Sequence, residues 1–158
     1  MRLTFLGKET QGGGSPTLWA TDRGTYVVQG WKLPGKLRLV QETTAAGRQI
    51  RRARVVTVPH GDYTRWGLAV AEHNLAAGED IRWLPRHLID PASLTTDDFW
   101  LFDDGHVVFT TFEPDGRFAG GASTTDPVIA AHCRSVRDQV WRAAIPHSRY
   151  IKSEFVSA

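Results

Sequence analysis

A histidine and an aspartate two residues apart, His60 and Asp62, stand where a β-prone run, RRARVVTV, gives way to a helical pattern. In open α/β sheets such strand-to-helix junctions gather ligand groups, and a His–Asp pair placed there could act as base and orienter. What the pair lacks is a nucleophile, because no Ser or Cys lies near it in sequence. If the chain is an enzyme, His60 and Asp62 are its catalytic candidates. The reading the residues favour is a capping aspartate beside an exposed histidine.

Arginines are the second chemical resource. Arg51, Arg52, Arg54, Arg65, Arg82 and Arg86 offer rigid planar donors suited to phosphate or carboxylate. Strand alternation puts Arg52 and Arg54 on one face, and Arg82 projects from a second strand that could lie adjacent. If those faces coincide, an anion-binding patch forms, with Arg54, Asp62, Tyr63, Arg65, Arg82, Arg86 and Trp100 as its ligand-binding candidates. The competing reading, and the favoured one, is salt bridging to Glu79, Asp80, Asp97 and Asp98. The carboxylates Asp97, Asp98, Asp103 and Asp104 could attract a hard cation, but Asp104 belongs to a turn and Asp98 and Asp103 flank a strand. His106 adds one nitrogen where a transition-metal site wants three or four converging ligands. No metal and no cofactor is expected. Cys133 is alone, so no intramolecular disulfide can form, and it is expected to fill core on the last helix.

These groups need elements to hold them. Ala53, Val55 and Val58 with Val56 and Thr57 make a strand that Pro59 stops. Asp62 is the expected N-cap of a helix whose stripe is Tyr63, Trp66, Val70, His73 and Ala77, with Gly78 as its left-handed stop. Gly67, inside that helix, costs about 1 kcal/mol relative to Ala, so a close neighbour or an irregularity is expected there. EDIRWLP reads as a strand. Asp104-Gly105 is a type I′ turn signal between aromatic flanks, Phe99–Asp103 and His106–Glu113, and Pro114-Asp115-Gly116 closes the second of them. Thr125 or Asp126 caps a final helix with Pro127 at its first position; Val128, Ile129, Ala131, Cys133, Val136, Val140, Trp141 and Ala144 are its expected apolar stripe. Upstream, Asp22-Arg23-Gly24 is read as a turn between two short β-prone runs, giving a hairpin or a single strand from Tyr26 to Leu33, and Leu37–Gln41 as a further strand.

The resulting expectation is an α/β fold, a single small sheet with helices packed on it, bringing segments near Val55, Ile81, Leu101 and Val108 together. Alternation in the hairpin sends Phe99 and Leu101 one way and Trp100 and Phe102 the other, so both faces call for cover by helices or by a partner. Residues 1–17, with Gly12, Gly13, Gly14, Ser15 and Pro16 in succession, read as a flexible arm; residues 18–150 form one domain and 151–158 a loosely docked tail. At 158 residues, 41% of them apolar, the chain can bury a core without staples. A net charge of +2 and a pI near 8.9 make a weak case for a dedicated nucleic-acid binder. The N-terminus carries no signal-type apolar run, and with a lone Cys this points to the cytoplasm and away from a membrane.

Five motifs carry a resemblance: R-x-R-V-V at 52–56, D-Y-x-R-W at 62–66, N-x-x-x-G-E-D-I-R-x-L-P-R at 74–86, DDFWLFDD at 97–104 and VWRAAIPH at 140–147. Over residues 51–150 the chain resembles a family of uncharacterised proteins widespread in Streptomyces and related actinobacteria, and residues 5–33 separately resemble small Streptomyces proteins of unknown function. The family's context beside helix-turn-helix regulators implies a regulatory or accessory role. A more distant likeness is to phospholipase-D-like half domains, which implies that topology; the His-x-Lys signature of that superfamily is absent, since the six candidates read HGD, HNL, HLI, HVV, HCR and HSR. The expected function is therefore a non-enzymatic regulatory binding protein whose partner is a helix-turn-helix regulator or a second copy of the chain. The alternatives are a small enzyme or sensor that holds an anionic metabolite or nucleotide through clustered arginines and, less favoured, direct nucleic-acid binding.

Overall fold

The computed structural model describes residues 3–8, 17–21, 26–29, 33–114 and 117–157. Strands β1 (Leu3–Lys8), β2 (Thr17–Thr21) and β3 (Tyr26–Gln29) pair antiparallel in chain order. The region expected to be an arm thus contains a strand, while its glycine tract and the Asp22-Arg23-Gly24 turn lie outside the described residues. Leu33–Ala45 is a helix, α1, where a strand at 37–41 was expected. Pro34 explains the difference, because in a first helical turn its missing N–H costs nothing and, beyond Gly35, the run 36–39 consists of good helix formers. Arg38 and Glu42 pair one turn apart at 3.4 Å.

A parallel β-α-β unit follows. β4 (Arg51–Val56) lies beside β5 (Asp80–Pro85), with Arg52 opposite Ile81, Arg54 opposite Trp83 and Val56 opposite Pro85. Between them runs α2, Asp62–Ala76. Gly61, not Asp62, is its N-cap; Asp62 occupies the first turn, where its charge complements the helix dipole. At the other end Gly78 has φ +93°, and its N–H donates to Leu75 O while Glu79 N–H donates to Asn74 O, the paired bonds of a Schellman stop. α1 docks here: the Thr44 hydroxyl donates to Ala77 O at 2.7 Å.

After two short 3-10 turns come β6 (Phe99–Phe102), β7 (His106–Phe112) and β8 (Phe118–Thr124), an antiparallel meander. The hairpin turn is centred on Asp103 and Asp104, with φ of 47° and 60°, and Gly105 N–H donates to Phe102 O. It sits one residue earlier than expected, because an aspartate tolerates the left-handed region. Residues 115–116 of the Pro114-Asp115-Gly116 turn lie outside the described residues. α3 (Pro127–Ala143) leads to β9 (Ile145–Pro146), which pairs antiparallel with β5, and the chain closes with α4 (His147–Tyr150) and α5 (Glu154–Ser157). Asp126 caps α3, accepting from Val128 N–H at 2.8 Å and Ile129 N–H at 3.1 Å.

The mixed α/β composition stands; the single sheet does not. Val55 and Ile81 belong to the sheet ordered β4-β5-β9, Leu101 and Val108 to the one ordered β6-β7-β8. α3 separates the two. Its buried Val136 and Val140, with Ala144 just past its end, pack with Leu84 under the β4–β5 face, while Ala130 and Cys133 pack with Val107 on the meander. The observed stripe is Ala130, Cys133, Val136, Val140 and Ala144; Val128 and Ile129, expected in it, are 76% and 39% exposed. The opposite face of β4–β5 carries the core of Val56, Leu68, Ala71, Ile81, Trp83 and Tyr150, with Phe155 and Val156 packed against it. The expected loose tail is therefore docked.

Candidate functional site

His60 and Asp62 do not meet. His60 is 4% exposed: its Nδ1–H donates to Thr57 O at 2.8 Å and its Nε2 accepts from the Tyr150 hydroxyl at 3.1 Å. Both ring nitrogens are spent inside the fold. Asp62 points outward and pairs with Arg65 at 3.6 Å. The exposed histidine expected from the sequence is a buried one, because the helix start turns its side chain under the sheet edge onto Tyr150. No base-and-orienter pair results.

The polar cluster that does form was not legible beforehand. Trp83, wholly buried, stacks on Tyr150 with centroids 5.8 Å apart and an interplanar angle of 22°. Its indole N–H donates to His147 Nδ1 at 3.0 Å. That fixes the imidazole as the neutral tautomer with its proton on Nε2, and Nε2 is buried without a partner among the described residues. Burial lowers the basicity of His147 below the usual histidine value, partly opposed by the Glu72 carboxylate. Burial likewise pushes the Tyr150 phenol up to about 12, so it remains a donor to His60. The signal for this cluster sits in H-S-R-Y at 147–150, residues three apart on a single helical turn.

The arginines divide between two faces. Arg54 lies on the α2 side, its guanidinium over the Tyr63 ring at 5.8 Å and the Trp83 ring at 5.6 Å. Arg82 lies on the α3 side, over Trp141 at 4.0 Å, donating to Trp141 O at 3.3 Å and 3.7 Å from Asp80. In parallel register Arg54 opposes Trp83, not Arg82, so the faces expected to coincide are opposite. Arg52 is ion-paired at 2.7 Å to Glu79, whose side chain is wholly buried and also accepts from Asn74 Nδ2. The guanidinium is poorly aligned for a hydrogen bond at that contact, so the attraction is Coulombic; it meets the competing salt-bridge reading. Arg86 is exposed beyond the end of β5. Of the candidates, Arg54, Asp62, Tyr63 and Arg65 gather around the start of α2; Arg82, Arg86 and Trp100 do not join them. A shallow groove of about 380 Å³, lined by Arg48, Gln49, Arg51 and Asp80 among others, opens at the amino ends of β4 and β5 rather than the carboxyl ends.

Among the described residues, one face of the meander is left open. Alternation places Phe99, Leu101, Val107 and Phe109 toward α3 and Trp100, Phe102 and Val108 outward, with Trp100 opposite Val108 and Phe102 opposite His106. Trp100, Phe102 and Phe112 are 45%, 49% and 49% exposed. Arg52 reaches the rim, its guanidinium 5.7 Å from the Trp100 centroid. Gly121 on β8 lies flat against this face, since a Cβ there would sit 3.1 Å from Val108 Cγ1. The turn is anchored from behind: Arg137 pairs with the Asp104 carboxylate and Arg134 donates to Asp104 O. Hydrogen bonding to Arg137 holds the Asp138 carboxyl below its usual range. Cys133 is buried and its thiol pushed up by that burial. Among the described residues no three His, Cys, Asp or Glu are grouped to hold a metal ion, and no helix is long and apolar enough to cross a membrane.

Neither a curated protein nor a solved structure matches the chain, and the likeness to phospholipase-D-like half domains rests on the sequence alone. Residues 19–152 match the model of one family, described as a domain of unknown function (DUF6879). That span takes in the β4–α2–β5 unit, the aromatic meander, α3 and the Trp83–His147–Tyr150 cluster, and the chain belongs to the DUF6879 family.

Proposed function

We propose that this chain is a non-enzymatic accessory protein of the cytoplasm that docks a protein partner on the outward face of the β6–β7–β8 meander. The observation that carries the reading is the exposure of Trp100, Phe102 and Phe112 at 45%, 49% and 49% on a sheet whose other face is closed by α3. Aromatic side chains with an arginine at the rim are the composition of energetic centres in protein interfaces. Against catalysis stand the inward turn of His60 and the outward turn of Asp62. A helix-turn-helix regulator is the partner that the sequence likeness implies.

The test is capture of partners from a native lysate with the tagged chain, in wild-type form and as the double variant Trp100→Ser, Phe102→Ser, with a helix-turn-helix regulator as the expected partner. Both positions are half exposed, so the variant should keep the wild-type circular dichroism and melting behaviour. The reading requires a stoichiometric complex with wild type and its loss in the variant; a clean monomer in both cases refutes it.

A second reading, an anionic metabolite or nucleotide held near Arg54, Tyr63 and Arg65, is favoured by one observation: the first N–H groups of α2 receive no side-chain cap and a helix N-terminus is suited to an anion. Thermal-shift measurements with inorganic phosphate and nucleotides separate the two, since only this reading raises Tm.

A further inference from the structure

Two buried hydrogen bonds tie the last eleven residues of the described chain to the rest of the fold, and they differ in a chemically decisive way. α4 and α5 lie over the β4–β5 face and add Tyr150, Phe155 and Val156 to its core. One fastening is the Tyr150 hydroxyl on His60 Nε2. A phenol can donate or accept, so this bond survives with reversed polarity if His60 gains a proton. The other is the Trp83 indole N–H on His147 Nδ1 at 3.0 Å. An indole can only donate. A protonated His147 would therefore turn an N–H toward an N–H inside a buried site, where each unmet donor is costly.

We propose that the segment 147–157 is an acid-released strap: it stays closed while His147 accepts from Trp83, and protonation of His147 at Nδ1 lifts it and uncovers the Trp83, Ile81 and Val56 floor. The proton comes from solvent hydronium: the Nδ1–H bond forms as an O–H bond of hydronium breaks, and no other covalent bond changes. Geometry supports the direction of the switch. Among the described residues Nε2 of His147 already lacks a partner, so a second charged N–H finds no acceptor within the cluster. The titratable and charged groups around the site do not rescue it. Glu72 on α2 is exposed and exerts the smaller effect on His147, opposing the larger one of burial. Arg54 on β4 lies over the Trp83 ring and repels a second cation, and Tyr150 and His60 are bonded to each other. Asp80 and Arg82 of β5 project to the opposite face, His87 just after β5 is exposed and packs edge-on against Phe155 of the strap, and Arg149, Lys152 and Glu154 on the strap itself are exposed. A group whose folded value is depressed contributes stability that is present above the ordinary histidine value and is lost as pH falls through the folded one. The strap is thus closed at neutral pH and opens on acidification.

The experiment is hydrogen exchange by NMR on the full chain between about pH 7.5 and about pH 5, corrected for intrinsic rates, with the Trp83 indole signal followed in parallel. Ile151, Lys152 and Ser153 report the strap, because their N–H groups donate to His147, Arg149 and Tyr150 carbonyls; amides of α3 report the rest of the fold. Expected in wild type is a common midpoint for the indole signal and the strap amides, with strap protection falling by up to about tenfold per pH unit below it while α3 stays protected. His147→Asn keeps an acceptor where Nδ1 lies and cannot titrate, so its strap protection should be flat with pH. Strap and α3 losing protection together, or the Asn variant losing it as steeply as wild type, overturns the proposal. Should that variant not fold, the wild-type titration decides alone: an indole signal unmoved down to about pH 5 in folded protein refutes the switch.

Discussion

Replacing Gly67 by Ala should reveal whether Arg54 sets the residue at that helix position. In an exposed helix interior the change would stabilise by about 1 kcal/mol. Here a Cβ would sit 2.6 Å from Arg54 Nη1 and 3.8 Å from its Cζ, with Trp83 Cη2 at an ordinary 3.6 Å. The guanidinium is the free end of a flexible side chain, so it moves rather than the backbone. Moving it forfeits its places over Tyr63 and Trp83, each worth about 0.5–1 kcal/mol for a half-exposed cation. Gain and loss then nearly cancel, and Gly67→Ala alone should change stability by between about 0 and −1 kcal/mol. In an Arg54→Ala background nothing remains to be displaced, and the same substitution should stabilise by the full amount of about 1 kcal/mol. Urea unfolding of the four proteins, read as a double-mutant cycle at constant m, should give a coupling of about 1–2 kcal/mol. If Gly67→Ala has the same effect in both backgrounds to within about 0.5 kcal/mol, the close approach is not what holds glycine there, and the argument fails.

Tyr150→Phe removes the donor to a buried imidazole and should cost about 1–3 kcal/mol in urea unfolding. It should also flatten an alkaline transition: the Tyr150 phenol is raised from 10.0 to about 12, so its contribution is intact below about pH 10 and drains away as pH rises to about 12, at up to about 1.4 kcal/mol per unit. A wild-type and variant pair losing stability equally across that window contradicts the assignment. Gly78→Ala should destabilise more than Gly47→Ala. Both have positive φ, +93° and +78°, but a Cβ at 78 meets Thr44 at 2.7–3.1 Å whereas at 47 nothing lies within 4 Å. The second should cost the left-handed strain of about 1–2 kcal/mol alone, and equal melting temperatures for the two variants would refute the docking of α1 on this turn.

Local chemistry was legible wherever it acts between near neighbours. Gly78 announced the end of α2, Asp126 and Pro127 the start of α3, and alternation from Phe99 to Phe102 the two-sided hairpin, because caps, stops and pleats are decided within a turn or two of chain. Even the cost of Gly67 was readable, though not the identity of what presses on it. Long-range partnership was not. That β9 rather than the meander lies beside β5, that α3 stands between two sheets, and that Arg54 and Arg82 face opposite ways are set by pairings far apart in sequence, where a parallel neighbour one residue out of register reverses every side chain. His60 shows the same limit. Its position at a strand-to-helix junction offered it as a catalytic candidate, with exposure the favoured reading, but only packing against Tyr150, ninety residues on, turned it into a buried structural base, while His147, unremarkable in a helix-ending IPH, acquired the unmatched nitrogen because Trp83 can donate and never accept.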